Sequence, residues 1–354
     1  RIDRELTENT SFFALLGQDW TPFGSSTLPN LLEITGLGLG YGTLYERAPQ
    51  ARFGLNFKVP GNKSGLSFQP EFAMVLPAFG NLPMPVDSQE GFGEREGPDS
   101  GRPELQGRFV TQWQLDKARG VMPAQLIASW VWGKRKVIVP AANVPATYKD
   151  AFPFGAEQEI DRWGYSLEAQ LPTRALTLLV KYYRGADLRF YFANQLYSNF
   201  TDTFGLTAPM SGPSIDNSSN LVFGMLNGVA TIAQQYPVRG QGGFINLGIP
   251  LSRIFNAEAA GRQAGWTAYL HYGFDSAFAR DVRHIAMTGN RGKSDLFAGT
   301  LYYKLNNWLT FSYEQSLYRT RAIDTPGIAY PVYRGIPSRE WHDLRSEFAT
   351  IFNF

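Results

Sequence analysis

The chain has 354 residues, no cysteine and a formal net charge of +2, and aromatic residues make up 14% of it. The 33 Lys and Arg residues are nearly balanced by 31 Asp and Glu, so nothing in the charge favours nucleic acid as a partner. The lack of cysteine excludes disulfides, thiolate metal sites and cysteine nucleophiles. The sequence also has no apolar run of about 18 residues, the length that a transmembrane helix needs.

Alternation of apolar and polar residues predicts most of the secondary structure, because successive side chains of a strand point to opposite faces. In 162–171, for example, Trp163 and Leu167 alternate with Arg162 and Glu168. The period blurs over 186–262, where 219–231 is only an optional strand. The predicted strands, in chain order, are 12–20, 52–59, 65–75, 104–115, 123–132, 162–171, 175–184, 263–274, 296–305, 308–318 and 341–354.

These segments predict an all-β fold, namely a transmembrane antiparallel up-and-down β-barrel that forms one domain over residues 1–354. Their typical length suits tilted transmembrane strands of about 9–11 residues, whereas strands of soluble sheets average about 5–6. Aromatic residues cluster at their ends, as in interfacial girdles. A soluble β-sandwich, which would also alternate, is the competing interpretation.

The lengths of the connections predict the topology, because outer-membrane barrels have short periplasmic turns and long outer loops. This pattern gives about twelve strands and a periplasmic C-terminus. The short connections are 60–64, 116–122, 172–174 and 306–307, and the long ones are 77–103, 133–159, 275–295 and 319–340.

The last strand ends in an alternating aromatic pattern, with Phe348, Phe352 and Phe354 on one face. Outer-membrane barrels typically end in such a strand, and their assembly machinery recognises it. We therefore expect these three residues to form the assembly signal, although any sheet protein can end on a phenylalanine.

Several short motifs are similar to those of the DcaP-like trimeric outer-membrane porins. They are LGQDW at 16–20, YERAPQAR at 45–52, PELQGR at 103–108 and the paired tyrosines with the later Tyr-Glu and Arg in 302–319. The resemblance implies a homotrimeric porin of sixteen strands. Members have about four strands upstream of the first motif. Either upstream strands are missing from this chain, which would give sixteen in all, or the barrel closes with fewer strands, about twelve.

The polar face of the predicted strands supplies the candidate pore lining. Arginine dominates the cations, with 24 Arg to 9 Lys, and its planar fork binds carboxylates in a bidentate manner. A preference for small carboxylates is one interpretation, and Arg–Glu pairing that stiffens the wall is the other. The predicted lining residues are Arg52, Asn56, Lys58, Arg108, Gln112, Gln114, Arg162, Glu168, Lys181, Lys304, Glu314, Arg345 and Glu347.

The connection 77–103 is the predicted constriction loop, because long loops without structure of their own tend to be functional or disordered. It is rich in proline and in charges of both signs, and a solvated outer loop is the alternative. Its charged residues are Asp87, Glu90, Glu94, Arg95, Glu96, Asp99 and Arg102.

No catalytic or metal-binding pattern emerges from the three histidines, His271, His284 and His342. None has the HExxH spacing of a metal site, and His271 falls on the polar face of its strand. The sequence therefore predicts neither an enzyme nor a cofactor.

The predicted function is passive diffusion of small polar solutes across a bacterial outer membrane. The expected partners are membrane lipids, lipopolysaccharide, the outer-membrane assembly machinery and two further copies of the chain. A structural or complex-associated barrel without transport is the main alternative, and a barrel enzyme is a weaker one.

Overall fold

The computed structural model describes residues 1–24, 26–32, 40–76, 102–118, 120–188, 191, 222–233, 239–254, 265–278, 291–322, 332–333, 336–337 and 340–353. Antiparallel strands dominate these residues. Within the described ranges, none of the helices has the length and apolar character needed to cross a membrane.

The strands account for nearly all of the regular structure. Two 3-10 turns, Ala141–Asn143 and Ala146–Tyr148, and the one-turn helix α1, Leu251–Ile254, are the helical elements of the described residues. The strands are β1 Ile2–Thr7, β2 Thr10–Trp20, β3 Arg47–Lys58, β4 Ser67–Val75, β5 Glu104–Trp113, β6 Ala124–Val139, β7 Ala156–Pro172, β8 Thr177–Ala186, β9 Val222–Leu226, β10 Val229–Ala233, β11 Arg239–Ile249, β12 Gly265–Ala277, β13 Arg291–Lys304, β14 Leu309–Ala322, β15 Val332–Tyr333, β16 Ile336–Pro337 and β17 Glu340–Phe352.

Thirteen of these strands form one sheet in the order β1 to β8, β11 to β14 and β17. Every strand pairs antiparallel with its neighbours, and sequence neighbours are nearly always spatial neighbours. The pairs β9–β10 and β15–β16 are separate hairpins. Among the described residues, no pairing joins β1 to β17. The predicted up-and-down antiparallel fold is confirmed, and thirteen strands lie within the expected twelve to sixteen.

The structure corrects the strand prediction at several places. β6 and β7 pair as far as Val139 and Ala156, so the predicted loop 133–159 shrinks to 140–155. The segment 219–231 contributes to the separate β9–β10 hairpin and not to the main sheet. β11 escaped prediction because four of its eleven residues are glycine, which gives no apolar–polar alternation. The connection 250–264, at the end with the short turns, is also longer than the pattern predicts.

The two faces of the main sheet have the opposite polarity to those of a soluble protein. On β7, Arg162 and Glu168 are buried at 0% and 4% exposure, whereas Leu167 is 56% exposed. Phe72, Phe109 and other large apolar residues share this exposed face. Buried charge and exposed apolar surface are each unusual in water, and together they fit a sheet whose apolar face contacts lipid.

Candidate transport path

Within the connection between β2 and β3, residues 21–46, the described residues 21–24, 26–32 and 40–46 lie against the polar face of the sheet. We call it the inner segment, and we call the face that it contacts the inner face; its residues 25 and 33–39 lie outside the described ranges. Five wall side chains accept hydrogen bonds from its backbone. These bonds are Phe23 N to Gln106 Oε1 (2.8 Å), Thr27 N to Glu168 Oε2 (2.8 Å), Asn30 N to Asn246 Oδ1 (3.2 Å), Leu32 N to Glu314 Oε2 (2.8 Å) and Gly42 N to Asp275 Oδ1 (3.1 Å).

These contacts require the sheet to curve around the inner segment. Arg47 begins β3, the third strand of the sheet, whereas Gly42 binds Asp275 on β12, the tenth. In a flat sheet, strands seven positions apart would lie about 34 Å apart. The fully extended chain from Gly42 to Arg47 reaches only about 18 Å. The inner face is therefore concave, and the inner segment lies within it.

Carboxylates of the wall satisfy backbone groups that a buried connection would otherwise leave without partners. Glu168 shows this best, since it accepts bonds from the backbone N–H groups of Ser26 and Thr27. It also forms a 2.8 Å ion pair with the Nζ atom of Lys181. One buried carboxylate thus links two neighbouring strands to the inner segment.

Apolar contacts also fix the inner segment. Phe23 packs edge-on against Tyr191, with ring centroids 5.2 Å apart, in a buried cluster that includes Leu44 and Val131. Leu31 packs in a second cluster with wall residues of β13. Both clusters combine the inner segment with the wall, so the segment is a packed element of the fold.

Glycine allows the closest approach between the inner segment and the wall. Gly42 has a positive φ of 83°, and a Cβ atom built on it would lie 2.1 Å from the carbonyl oxygen of Gly243. On β12, a Cβ atom on Gly273 would lie 2.3 Å from the carbonyl oxygen of Tyr41. Side chains at these positions would push the segment away from the wall.

An ion-pair network that water partly reaches lies on β2 to β5, and we call it the Arg108 network. Arg108 binds Glu71 at 2.7 Å, and Arg52 lies 4.0 Å from Glu71 and 2.9 Å from Asp19. Arg108 also donates to the hydroxyl oxygen of Ser26 in the inner segment. The side chains of Arg108 and Asp19 are 20% and 37% exposed.

A second network, the Arg162 network, is wholly buried. The guanidinium of Arg162 lies 2.9 Å from Glu104 and 4.0 Å from Glu46, and all three side chains are at most 1% exposed. It also stacks 4.5 Å from the ring centroid of Tyr191. This network connects β5 and β7 to the C-terminal end of the inner segment.

The predicted lining residues all lie on inner-face positions of their strands, but at two levels. Arg52, Arg162, Glu168, Lys181 and Glu314 are buried at the level of the inner segment. Nearer the short connections or the last strand, the others remain partly or fully exposed. These are Asn56, Lys58, Gln112, Gln114, Lys304, Arg345 and Glu347, together with Arg108 at the intermediate level.

Two groups of predicted site residues cannot be compared in full. Of the predicted constriction loop, 77–101 lies outside the described residues, which leaves Arg102 at 3.7 Å from Glu159. Phe354 of the assembly signal also lies outside them. Phe348 and Phe352 lie on the outer face of β17 and are 82% and 52% exposed.

The sequence patterns did not predict the inner segment. A usable signal existed: 21–46 contains only Glu33 and Glu46 as charged residues, whereas 77–103 contains seven. A long connection with few charges is poorly suited to solvent.

No group of three or more potential metal ligands occurs among the described residues. His271 lies on the inner face, as predicted, and is 5% exposed. Neither of its ring nitrogens has a hydrogen-bond partner in the described structure.

A concave charged face, an apolar convex face and a connection packed inside define the class of architecture found in outer-membrane porins. A known structure supports this class: the outer membrane channel DcaP of Acinetobacter baumannii matches over 98% of this chain and 72% of its own, with a TM-score of 0.56 and 11% identity. A NanC porin aligns over 96% of this chain and 99% of its own, but with a TM-score of only 0.28 and 9% identity. No protein-family model and no curated protein matches the sequence.

The match to DcaP confirms, at the level of the fold, the resemblance that the sequence motifs predicted. It covers both the motif-bearing strands and the region 186–262, where the motifs are lacking.

Proposed function

We propose that this protein is a channel of the bacterial outer membrane through which small polar solutes diffuse passively, and that it is not an enzyme. The observation that carries the proposal is the combination of a concave polar face with an exposed apolar outer face. Lipid on the convex side and water on the concave side would satisfy both surfaces. The DcaP-like fold supports the same function.

The inner segment would set the narrowest part of this path. It crosses the concave face and binds strands from β5 to β14, so a solute must pass beside it. The half-exposed polar residues toward the short connections would line the wider part. That the connection 77–103 narrows the same path further is a separate proposal.

A preference for small carboxylates is the narrower proposal, and Arg108 and Lys58 are its best candidates. Arg108 is partly exposed, and Lys58 is exposed on the same face. However, Arg108 is itself paired with Glu71, and Arg52, Arg162 and Lys181 are each paired with a neighbouring carboxylate. We therefore propose a modest anion preference and assign most inner-face arginines to stiffening the wall.

The proposed setting is the outer membrane, with the short connections and the C-terminus on the periplasmic side. The chain would act as a homotrimer in contact with lipids and lipopolysaccharide. Phe348, Phe352 and Phe354 would present the signal to the assembly machinery.

Planar-bilayer recording of the purified protein tests the proposal. We expect stepwise conductance increments, and a small reversal potential toward anion preference in a potassium chloride gradient. Absence of any conductance from protein that inserts would favour the non-transporting structural barrel. Preference for cations would refute the narrower carboxylate proposal while leaving the channel intact.

A further inference from the structure

The outer face carries a band of cations at one end of the sheet. The face is otherwise apolar on β8 and β11 to β14, with residues such as Leu270 and Phe311 exposed. All the described charged side chains of this face on these strands lie at the end from which 187–238, 278–290 and 323–339 emerge. They are Arg184, Arg239, Lys293, Arg319, Arg321 and the single acid Asp295.

Strand parity places these cations outside. On β13, the buried side chain of Leu296 contacts the inner segment and therefore lies on the inner face. Lys293, Asp295 and Phe297 occupy the alternate positions of the strand, so they lie on the outer face. On β14, Glu314 binds the inner segment, so Arg319 and Arg321 also lie outside. Pairing of Asp295 with Arg319 across the two strands agrees with this assignment.

Aromatic rings contact four of these cations. The guanidinium carbons of Arg184 and Arg239 lie 4.9 and 5.7 Å from the ring centroid of Phe278. Lys293 lies 5.3 Å from the ring of Phe274, and Arg319 lies 5.6 Å from that of Phe297. Aromatic rings interleaved with cationic groups form the arrangement expected where hydrocarbon meets lipid headgroups.

Two acids lie among these cations. Asp295 binds both Lys293 and Arg319, at 2.7 and 2.8 Å. Glu340, at the start of β17, binds Arg321 at 2.6 Å. Among the described residues, the outer face at this end of β8, β11 to β14 and β17 thus carries five cations and two acids.

The opposite end of the same strands provides the comparison. Near the short connections, the outer face presents Trp266, Tyr303 and Phe311. No described side chain of the outer face there on β8 or β11 to β14 is charged. The charge therefore distinguishes one membrane leaflet from the other.

We propose that this band, Arg184, Arg239, Lys293, Arg319 and Arg321, binds the phosphate groups of a phosphorylated glycolipid in the outer leaflet. The proposal rests on the proposed membrane location. Charge complementarity selects the occupant, since clustered Lys and Arg next to a membrane attract anionic headgroups. Arginine forks also suit phosphate oxygens in particular.

Native mass spectrometry of the detergent-solubilised protein tests this site, with diphosphoryl lipid A and its dephosphorylated form as probes. We expect the wild-type protein to retain the phosphorylated lipid preferentially. The double variant R184Q/R239Q should bind it about thirty-fold more weakly, because each juxtamembrane cation contributes about five-fold. The charge-matched control K63Q/K117Q, in the turns at the opposite end, should bind like the wild type.

Equal retention of the two lipids by the wild-type protein would overturn the proposal, as would unchanged binding by R184Q/R239Q. Loss of oligomers by this variant with unchanged lipid binding would instead make the band an interface between copies. Conductance measured on the same preparations separates the two proposals, because a protein that binds the lipid selectively but never conducts refutes only the channel.

Discussion

The Arg108 network and the buried contacts of Glu168 lie on the same concave face but differ in their access to water. Arg108 and Asp19 retain 20% and 37% of their side-chain exposure, whereas the ion-paired side chains of Lys181 and Glu168 retain 0% and 1%. A partly solvated charge contributes to the field that a solute experiences. A buried charge instead binds the inner segment and the neighbouring strand.

This difference separates two roles that the sequence cannot separate. All four residues occupy the same alternating face, and Arg108, Glu168 and Lys181 were all predicted to line the pore. Variants of the buried group should chiefly change stability and the size of the path. Variants of the partly exposed group should chiefly change ion selectivity.

The largest effect should come from Glu168→Ala. It leaves the buried Lys181 without its carboxylate and frees the N–H groups of Ser26 and Thr27. Breaking a buried ion pair typically costs about 3–5 kcal/mol. We expect a lower unfolding midpoint in detergent and larger or noisier single-channel currents.

Asp161→Ala is the control for Glu168→Ala. The side chain of Asp161 is 61% exposed, and the cation it contacts, Lys134 at 3.6 Å, is also partly exposed. Its unfolding midpoint and currents should match the wild type. Equal effects of the two variants would show that Glu168 does not anchor the inner segment.

Gly42→Ala should have the next largest effect, since the new Cβ would lie 2.1 Å from the carbonyl oxygen of Gly243. Displacement of the inner segment should destabilise the protein by about 1–3 kcal/mol, as overpacking does. Gly61→Ala is the matched control: its φ is also positive, at 71°, but its Cβ would meet open space. Conductance and thermal unfolding of both variants would show whether the contact matters beyond backbone strain.

Arg108→Gln should produce a smaller change in stability but a measurable change in selectivity. It removes a partly exposed cation and leaves Glu71 near Arg52. We expect the reversal potential in a salt gradient to shift by a few millivolts toward cation preference, because a charged lining selects ions by their sign. Lys63→Gln, in a turn outside the path, should leave the reversal potential unchanged.

The smallest effect should appear at the turns. The Arg174 guanidinium holds the pKa of Asp116 well below its usual range, across two neighbouring short connections. Because the folded pKa is lowered, the contribution of this contact is present above the ordinary aspartate range, near pH 4, and is lost as the pH falls through the lower folded value.

Thermal unfolding between pH 2 and 7 tests this assignment. Asp116→Asn should remove a small part of the acid sensitivity that the wild type shows. Asp150→Asn changes an exposed acid of the connection 140–155, and this variant should keep the full acid sensitivity of the wild type. An Asp116→Asn profile that parallels the wild type would contradict the assignment.

Sequence patterns predicted the strands best where side chains alternate strongly, as in β5 and β12. They failed at β11, because its glycines provide no pattern, and beyond residue 132, where β6 continues past its predicted end. The inner-face position of each predicted lining residue followed from strand parity alone. Which of them are buried did not, because burial depends on the inner segment.

The sequence by itself determined the antiparallel strands, their two faces and the polarity of each face, because these follow from a local period of two residues. Only the tertiary structure decided that the described residues of the inner segment pack inside and which carboxylates bind them. Those contacts join residues as distant as Leu32 and Glu314, and no local pattern encodes a pairing across that separation. The curvature of the sheet, which brings such residues together, is a property of all its strands at once.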